Sequence, residues 1–129
     1  MKYSIDKDDK YSLLKIKEEK FDSTVSSSFK SDLITMQAEG VPNIVIDLSD
    51  VKYIDSSGLS ALLVGNRIFG EIGGAFVLAA PSEHTEKLIK ISQLDKVFDV
   101  LPTVHEAIES VFMHELERGM SEEEGSEEN

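Results

Sequence analysis

From Asn43 onward, short unbroken apolar runs alternate with stretches of helical period, and no other feature of the chain restricts its fold as much. Asn43-Ile-Val-Ile-Asp-Leu and Ala75-Phe-Val-Leu-Ala-Ala are too apolar to turn one face to water, so each reads as a strand covered on both sides. Val97-Phe-Asp-Val-Leu is a third, shorter strand. Between them, Leu59, Leu62, Leu63 and then Ile68 or Phe69 recur at helical spacing, and Leu88, Ile89 and Ile91 mark a second helix over about 82–92. Thr103 opens a third helix, with Glu106 as its capping-box partner and Val104, Ala107, Ile108, Val111, Phe112 and Leu116 at a 3.6 period. This order implies right-handed crossovers between parallel strands. The expected fold class is α/β, a single domain whose mixed sheet has parallel core strands covered by helices.

The N-terminal part adds to that frame. Tyr11–Lys17 reads as a strand in which Leu13 breaks the alternation of Tyr11, Leu14 and Ile16. Lys2-Tyr-Ser-Ile is its partner strand, joined by the turn Asp6-Lys-Asp-Asp-Lys. Asp22-Ser-Thr can cap a helix carrying Phe29, Leu33, Ile34 and Met36, which Gly40 and Pro42 terminate. A turn at Ser49-Asp50 and a second apolar patch, Val51–Ile54, precede Asp55-Ser-Ser-Gly. With 129 residues, no internal repeat and no linker, a single domain over 1–116 is expected.

Charge narrows the function classes. The net charge is −12, and residues 115–129 hold seven Glu against one Arg. Residues 117–129 are therefore expected to form an acidic, disordered tail. The rest of the chain has no cluster of Lys or Arg, which argues against nucleic-acid binding and against an anionic membrane surface. Cysteine is absent, excluding disulfides, thiolate metal sites and a cysteine nucleophile. No run approaches the roughly 20 apolar residues that span a bilayer, so direct membrane insertion is not expected and a cytoplasmic location is.

Chemistry in open α/β sheets collects where helix N-termini follow strand carboxyl ends. Asp55-Ser56-Ser57-Gly58 occupies such a position. A phosphate on Ser56 would meet the positive end of a helix, although a plain N-cap role for Ser56 or Ser57 accounts for the same residues. A serine hydrolase fits less well: there is no G-x-S-x-G elbow, and His84, His105 and His114 fall on helices or helix starts. No His/Asp/Glu spacing suggests a metal site, and Gly70-Glu-Ile-Gly-Gly serves as a helix stop and turn rather than a phosphate-cradling loop. No cofactor and no enzymatic activity are expected.

The contiguous stretch Val45-Ile-Asp-Leu-Ser-Asp-Val-Lys-Tyr-Ile-Asp-Ser-Ser-Gly-Leu-Ser-Ala-Leu resembles a STAS domain of the bacterial anti-sigma factor antagonist type. The likeness continues through Ile72-Gly-Gly-Ala-Phe-Val-Leu and Leu94-Asp-Lys-Val-Phe-Asp-Val, and covers about 11–112. It implies partner switching. The unmodified protein would bind an anti-sigma factor serine kinase of the GHKL ATPase type and free a sigma factor. Phosphorylation by that kinase at the serine after the motif aspartate, here Ser56, would release it, and a metal-dependent serine phosphatase would reverse the mark. Asp55 matches the preceding acid, Ser57 and Gly58 complete the motif, and Asp22 matches the acid closing the family's G-E-L-D loop. That loop reads Glu19-Lys20-Phe21-Asp22 here, a reversal of charge at position 20. The alternative role is a STAS regulatory subunit of a membrane transporter complex, which needs no phosphorylation.

Overall fold

The computed structural model describes residues 1–127. Among these residues seven strands and four α-helices follow one another as β1 (Tyr3–Lys7), β2 (Ser12–Ile16), β3 (Lys20–Phe21), α1 (Ser23–Ala38), β4 (Ile44–Asp47), β5 (Tyr53–Ile54), α2 (Ser56–Glu71), β6 (Phe76–Ala79), α3 (Glu83–Ile91), β7 (Asp99–Leu101) and α4 (Val104–Glu127). A five-stranded sheet has the order β1-β2-β4-β6-β7. Strand β1 runs antiparallel to β2, and every other neighbouring pair is parallel. The expected mixed α/β sheet is therefore the one observed.

Helices cover both faces, which is why β4 and β6 have no exposed residue. On one side α1 and α2 bury Phe29, Leu33, Leu62 and Phe69 over Leu14, Ile16, Ile44, Ile46 and Leu78. On the other, α4 lays Ala107 and Val111 over Val45, Val77 and Ala79. Tyr11 and Leu13 pack into this second cluster. Leu13 is thus no break in a one-sided alternation, because β2 is apolar on both faces: Leu14 and Ile16 serve one core and Leu13 the other.

Two details depart from the sequence reading. Ile34, assigned to the apolar side of α1, is 53% exposed, since Phe29, Leu33 and Met36 already complete the buried stripe. Helix α4 runs to Glu127, past the expected boundary at 116. The reason is partly docking: the Arg118 guanidinium donates to the Ile72 carbonyl (3.4 Å), and His114 Nε2 lies 2.8 Å from the Gly73 carbonyl. Glu is also a good helix former. Residues 128–129 of the expected tail lie outside the described residues.

Candidate functional site

The site is built by two strands of two residues each. β3 and β5 pair in parallel, Lys20 with Tyr53 and Phe21 with Ile54. Each strand is followed by an aspartate, and each aspartate caps a helix: Asp22 for α1, Asp55 for α2. The parallel register therefore sets two helix N-termini side by side, at the end of the molecule where the parallel strands β2, β4, β6 and β7 point their carboxyl ends. Phe21 is fully buried and anchors the pair edge-to-face on Phe29, with ring centroids 5.0 Å apart.

Both caps are closed. Asp22 Oδ1 accepts from the Thr24 amide (3.0 Å) and the Thr24 hydroxyl (2.6 Å). Asp55 Oδ1 accepts from the Ser57 hydroxyl (2.6 Å) and the Gly58 amide (3.0 Å). These donors, the Ser57 hydroxyl first and the Gly58 amide next, hold the Asp55 carboxyl below the ordinary carboxylate value. The capping alternatives at Ser56 and Ser57 are corrected here: Asp55 is the cap, because its side chain reaches the amide three residues on. Ser57 is tied to Asp55. Ser56, the first helical residue, is exposed, and no hydrogen bond engages its hydroxyl among the described residues.

Gly58 is fixed by close approach. A Cβ there would lie 2.3 Å from the Phe21 carbonyl oxygen and 2.6 Å from Ile54 Cγ1, so only glycine lets the first turn of α2 sit on the β3–β5 pair. The Asp55 amide donates to the same Phe21 carbonyl at 3.3 Å. All five residues singled out from the sequence, Asp22, Asp55, Ser56, Ser57 and Gly58, thus gather at one junction.

Beside it lies an open depression of about 290 Å³, lined by Lys20, Phe21, Asp22, Tyr53, Ile54, Asp55 and His84. Tyr53 is 55% exposed and meets the His84 ring at a steep angle, centroids 5.6 Å apart. His84 Nε2 lies 3.3 Å from the Ile54 carbonyl, which accepts. Sequence reasoning placed Lys20 in the altered loop but missed Tyr53 and His84 as its companions in this depression. The pairing of β3 with β5 sets Tyr53 beside Lys20 and the start of α3 adds His84, and a strand of two residues has no periodicity to read.

A family model of the STAS domain matches residues 3–107. The chain belongs to the STAS domain family. A protein of Thermotoga neapolitana named as an anti-sigma factor antagonist is 34% identical over 73 residues, 57% of this chain and 65% of that relative. This STAS domain thus spans just under two thirds of the curated relatives it matches. The crystal structure of an anti-sigma factor antagonist from Thermotoga maritima superposes with a TM-score of 0.76 at 25% identity, covering 84% of this chain and 93% of that one. The anti-sigma factor antagonist SpoIIAA in its unphosphorylated form shares the fold at 20% identity, with a TM-score of 0.72 over 85% of this chain and 96% of its own. Its phosphorylated form superposes at 0.67, again at 20% identity, over 85% of this chain and 99% of its own.

The departure in the Glu19–Asp22 loop sits on the outside of this STAS domain. Phe21 and Asp22 keep the buried and capping positions, whereas Glu19 and Lys20 are exposed. Glu19 Oε1 pairs with Lys52 Nζ at 3.4 Å, and the Glu19 carbonyl accepts from the Lys52 and Tyr53 amides. The altered residues change the surface without changing the junction. Among the described residues, no helix is long and apolar enough to cross a membrane.

Proposed function

We propose that this STAS domain is an anti-sigma factor antagonist that acts by partner switching, a binding protein rather than an enzyme, working in the cytoplasm. Unmodified, it binds an anti-sigma factor serine kinase; phosphorylation of Ser56 breaks that complex, and a serine phosphatase restores it. Catalytic groups, nucleotide and metal all belong to those partners. The observation that carries the reading is the contrast between adjacent serines: Ser57 is held by Asp55, while Ser56 presents its hydroxyl to solvent at the joined N-termini of α1 and α2. The named relatives and the existence of a phosphorylated form of SpoIIAA support it.

Charge decides where phosphorylation acts. A phosphate adds close to two negative charges. In the free protein it stays in water at a helix N-terminus, which favours an anion by about 0.3–1 kcal/mol. In the complex it must be desolvated beside Asp22 and Asp55, at a cost of several kcal/mol. The second effect is larger, so the mark dissolves the interface and leaves the fold intact. The exposed Lys20 replaces an acid at the partner surface, which favours a kinase with a complementary, acidic contact.

The test is capture of the partner from the native host on Ser56→Ala and Ser56→Asp proteins, followed by calorimetry with the kinase so recovered. Ser56→Ala binds as the wild type does. Ser56→Asp binds at least about tenfold more weakly, a difference of about 1.4 kcal/mol, while melting at the same temperature or slightly higher. Equal affinities of the two variants contradict the switch, and so does a Ser56→Asp protein that has simply lost its fold.

A further inference from the structure

We propose that the solvent-facing side of α4 is a docking surface for a basic amphipathic helix of a partner protein, independent of the switch at Ser56. The packed side of α4 is fixed by Ala107 and Val111, both fully buried. Beyond it, Phe112, Leu116 and Met120 are 47%, 58% and 55% exposed and stand at i, i+4 and i+8, one line along the helix that starts at the packed edge, where the Phe112 ring meets Tyr11 edge-on at 5.9 Å. Met113, 56% exposed, widens that line. The strip runs for about 12 Å at 1.5 Å per residue. Single exposed apolar side chains are ordinary on a protein surface, but a contiguous strip of four marks an interaction site.

Charge selects the occupant. Residues 104–127 contain eight Glu and one Lys or Arg residue, Arg118, whose guanidinium is turned to the packed side and donates to the Ile72 carbonyl. Glu109 and Glu117 fall at helical positions bordering the strip. A second copy of this chain would set two such acidic helices against each other, with like charges along both edges of the seam. An anionic lipid surface is repelled for the same reason. A helix with Lys or Arg flanking its own apolar stripe meets both the strip and its acidic borders.

The test uses the full chain and three probes: a peptide of Leu and Lys patterned as an amphipathic helix, a scrambled peptide of the same composition, and phosphatidylglycerol vesicles. By calorimetry the patterned peptide binds at least about tenfold more tightly than the scrambled one. That advantage disappears in Leu116→Ser/Met120→Ser, a variant confined to side chains more than half exposed and therefore not needed by the core. Equal binding of the two peptides overturns the proposal, as does an advantage that survives in the variant. Self-association of the wild-type chain in sedimentation, abolished by the variant, overturns it in favour of a second copy. Vesicle binding abolished by the variant overturns it in favour of a lipid surface.

Discussion

Asp55 shows how much one exposed carboxylate can organise. It caps α2, orients Ser57, and by taking both tasks leaves Ser56 without an internal bond. Its depressed pKa has a definite consequence for stability. A carboxyl held below its ordinary value contributes stability above that value, and loses it as pH falls through the lower, folded one. Asp55→Asn keeps a capping oxygen but cannot ionise. The wild type is therefore more stable than Asp55→Asn near neutral pH, and the difference fades as pH falls from the ordinary 3.8 downward. Urea unfolding of both proteins across that range checks it, and a gap that persists unchanged at the lowest pH contradicts it. At Gly58 the expected cost is steric. Gly58→Ala sets a methyl 2.3 Å from a backbone oxygen that no rotamer can move, so it destabilises by about 1–3 kcal/mol and lowers partner affinity by displacing Ser56. At this scale the site was largely legible. Ser and Gly after an aspartate announce a helix start, but which of three capping residues takes the cap depends on Asp55 reaching Gly58.

The helices owe their placement to close contacts between elements. Helix α2 packs on both α1 and β6, and the approach is set by Gly65, where a Cβ would fall 2.5 Å from the Phe76 ring and 2.8 Å from Leu33 Cδ1. Gly65→Ala is expected to cost about 1–3 kcal/mol through overpacking, despite the better helix propensity of Ala. Chemical denaturation measures it, and a stabilised variant would show that the helices can part at no cost. Helices and doubly covered strands were readable because their patterns repeat over many residues. The β3–β5 pair was not, since strands of two residues carry no pattern, and Lys20-Phe21 looks like any loop. Ile34 is exposed for a related reason: helical spacing marks the positions that could be buried, while the width of the neighbouring surface decides how many are.

Across the whole molecule, the end opposite the switch is held by a buried amide. Asn43 is fully buried at the amino end of β4; its Nδ2 donates to the Lys10 carbonyl (2.7 Å) and to Glu115 (2.6 Å), and its Oδ1 accepts from the Ala75 amide (2.7 Å). One side chain thus ties the β1–β2 turn, β6 and α4 to the central strand. Asn43→Leu leaves the Lys10 carbonyl and the Ala75 amide without those partners, at a cost of about 3 kcal/mol or more. Thermal unfolding reads this as a lower melting temperature, and a change within error would show that water replaces the amide. Nothing in the sequence sets Asn43 apart from an ordinary strand start, because its partners lie 32, 33 and 72 residues away. This division, a clamped amino end and a carboxyl end where Ser56 stands exposed at the joined N-termini of α1 and α2, suits a rigid body whose surface charge changes while its shape does not. The most direct measurement of that claim is phosphopeptide mapping of the protein recovered from its native host, in growth and under stress. Phosphate on Ser56 is expected in one condition and not in the other, with Ser57 unmodified in both. An unmodified Ser56 in every condition, or phosphate on Ser57 instead, would contradict it.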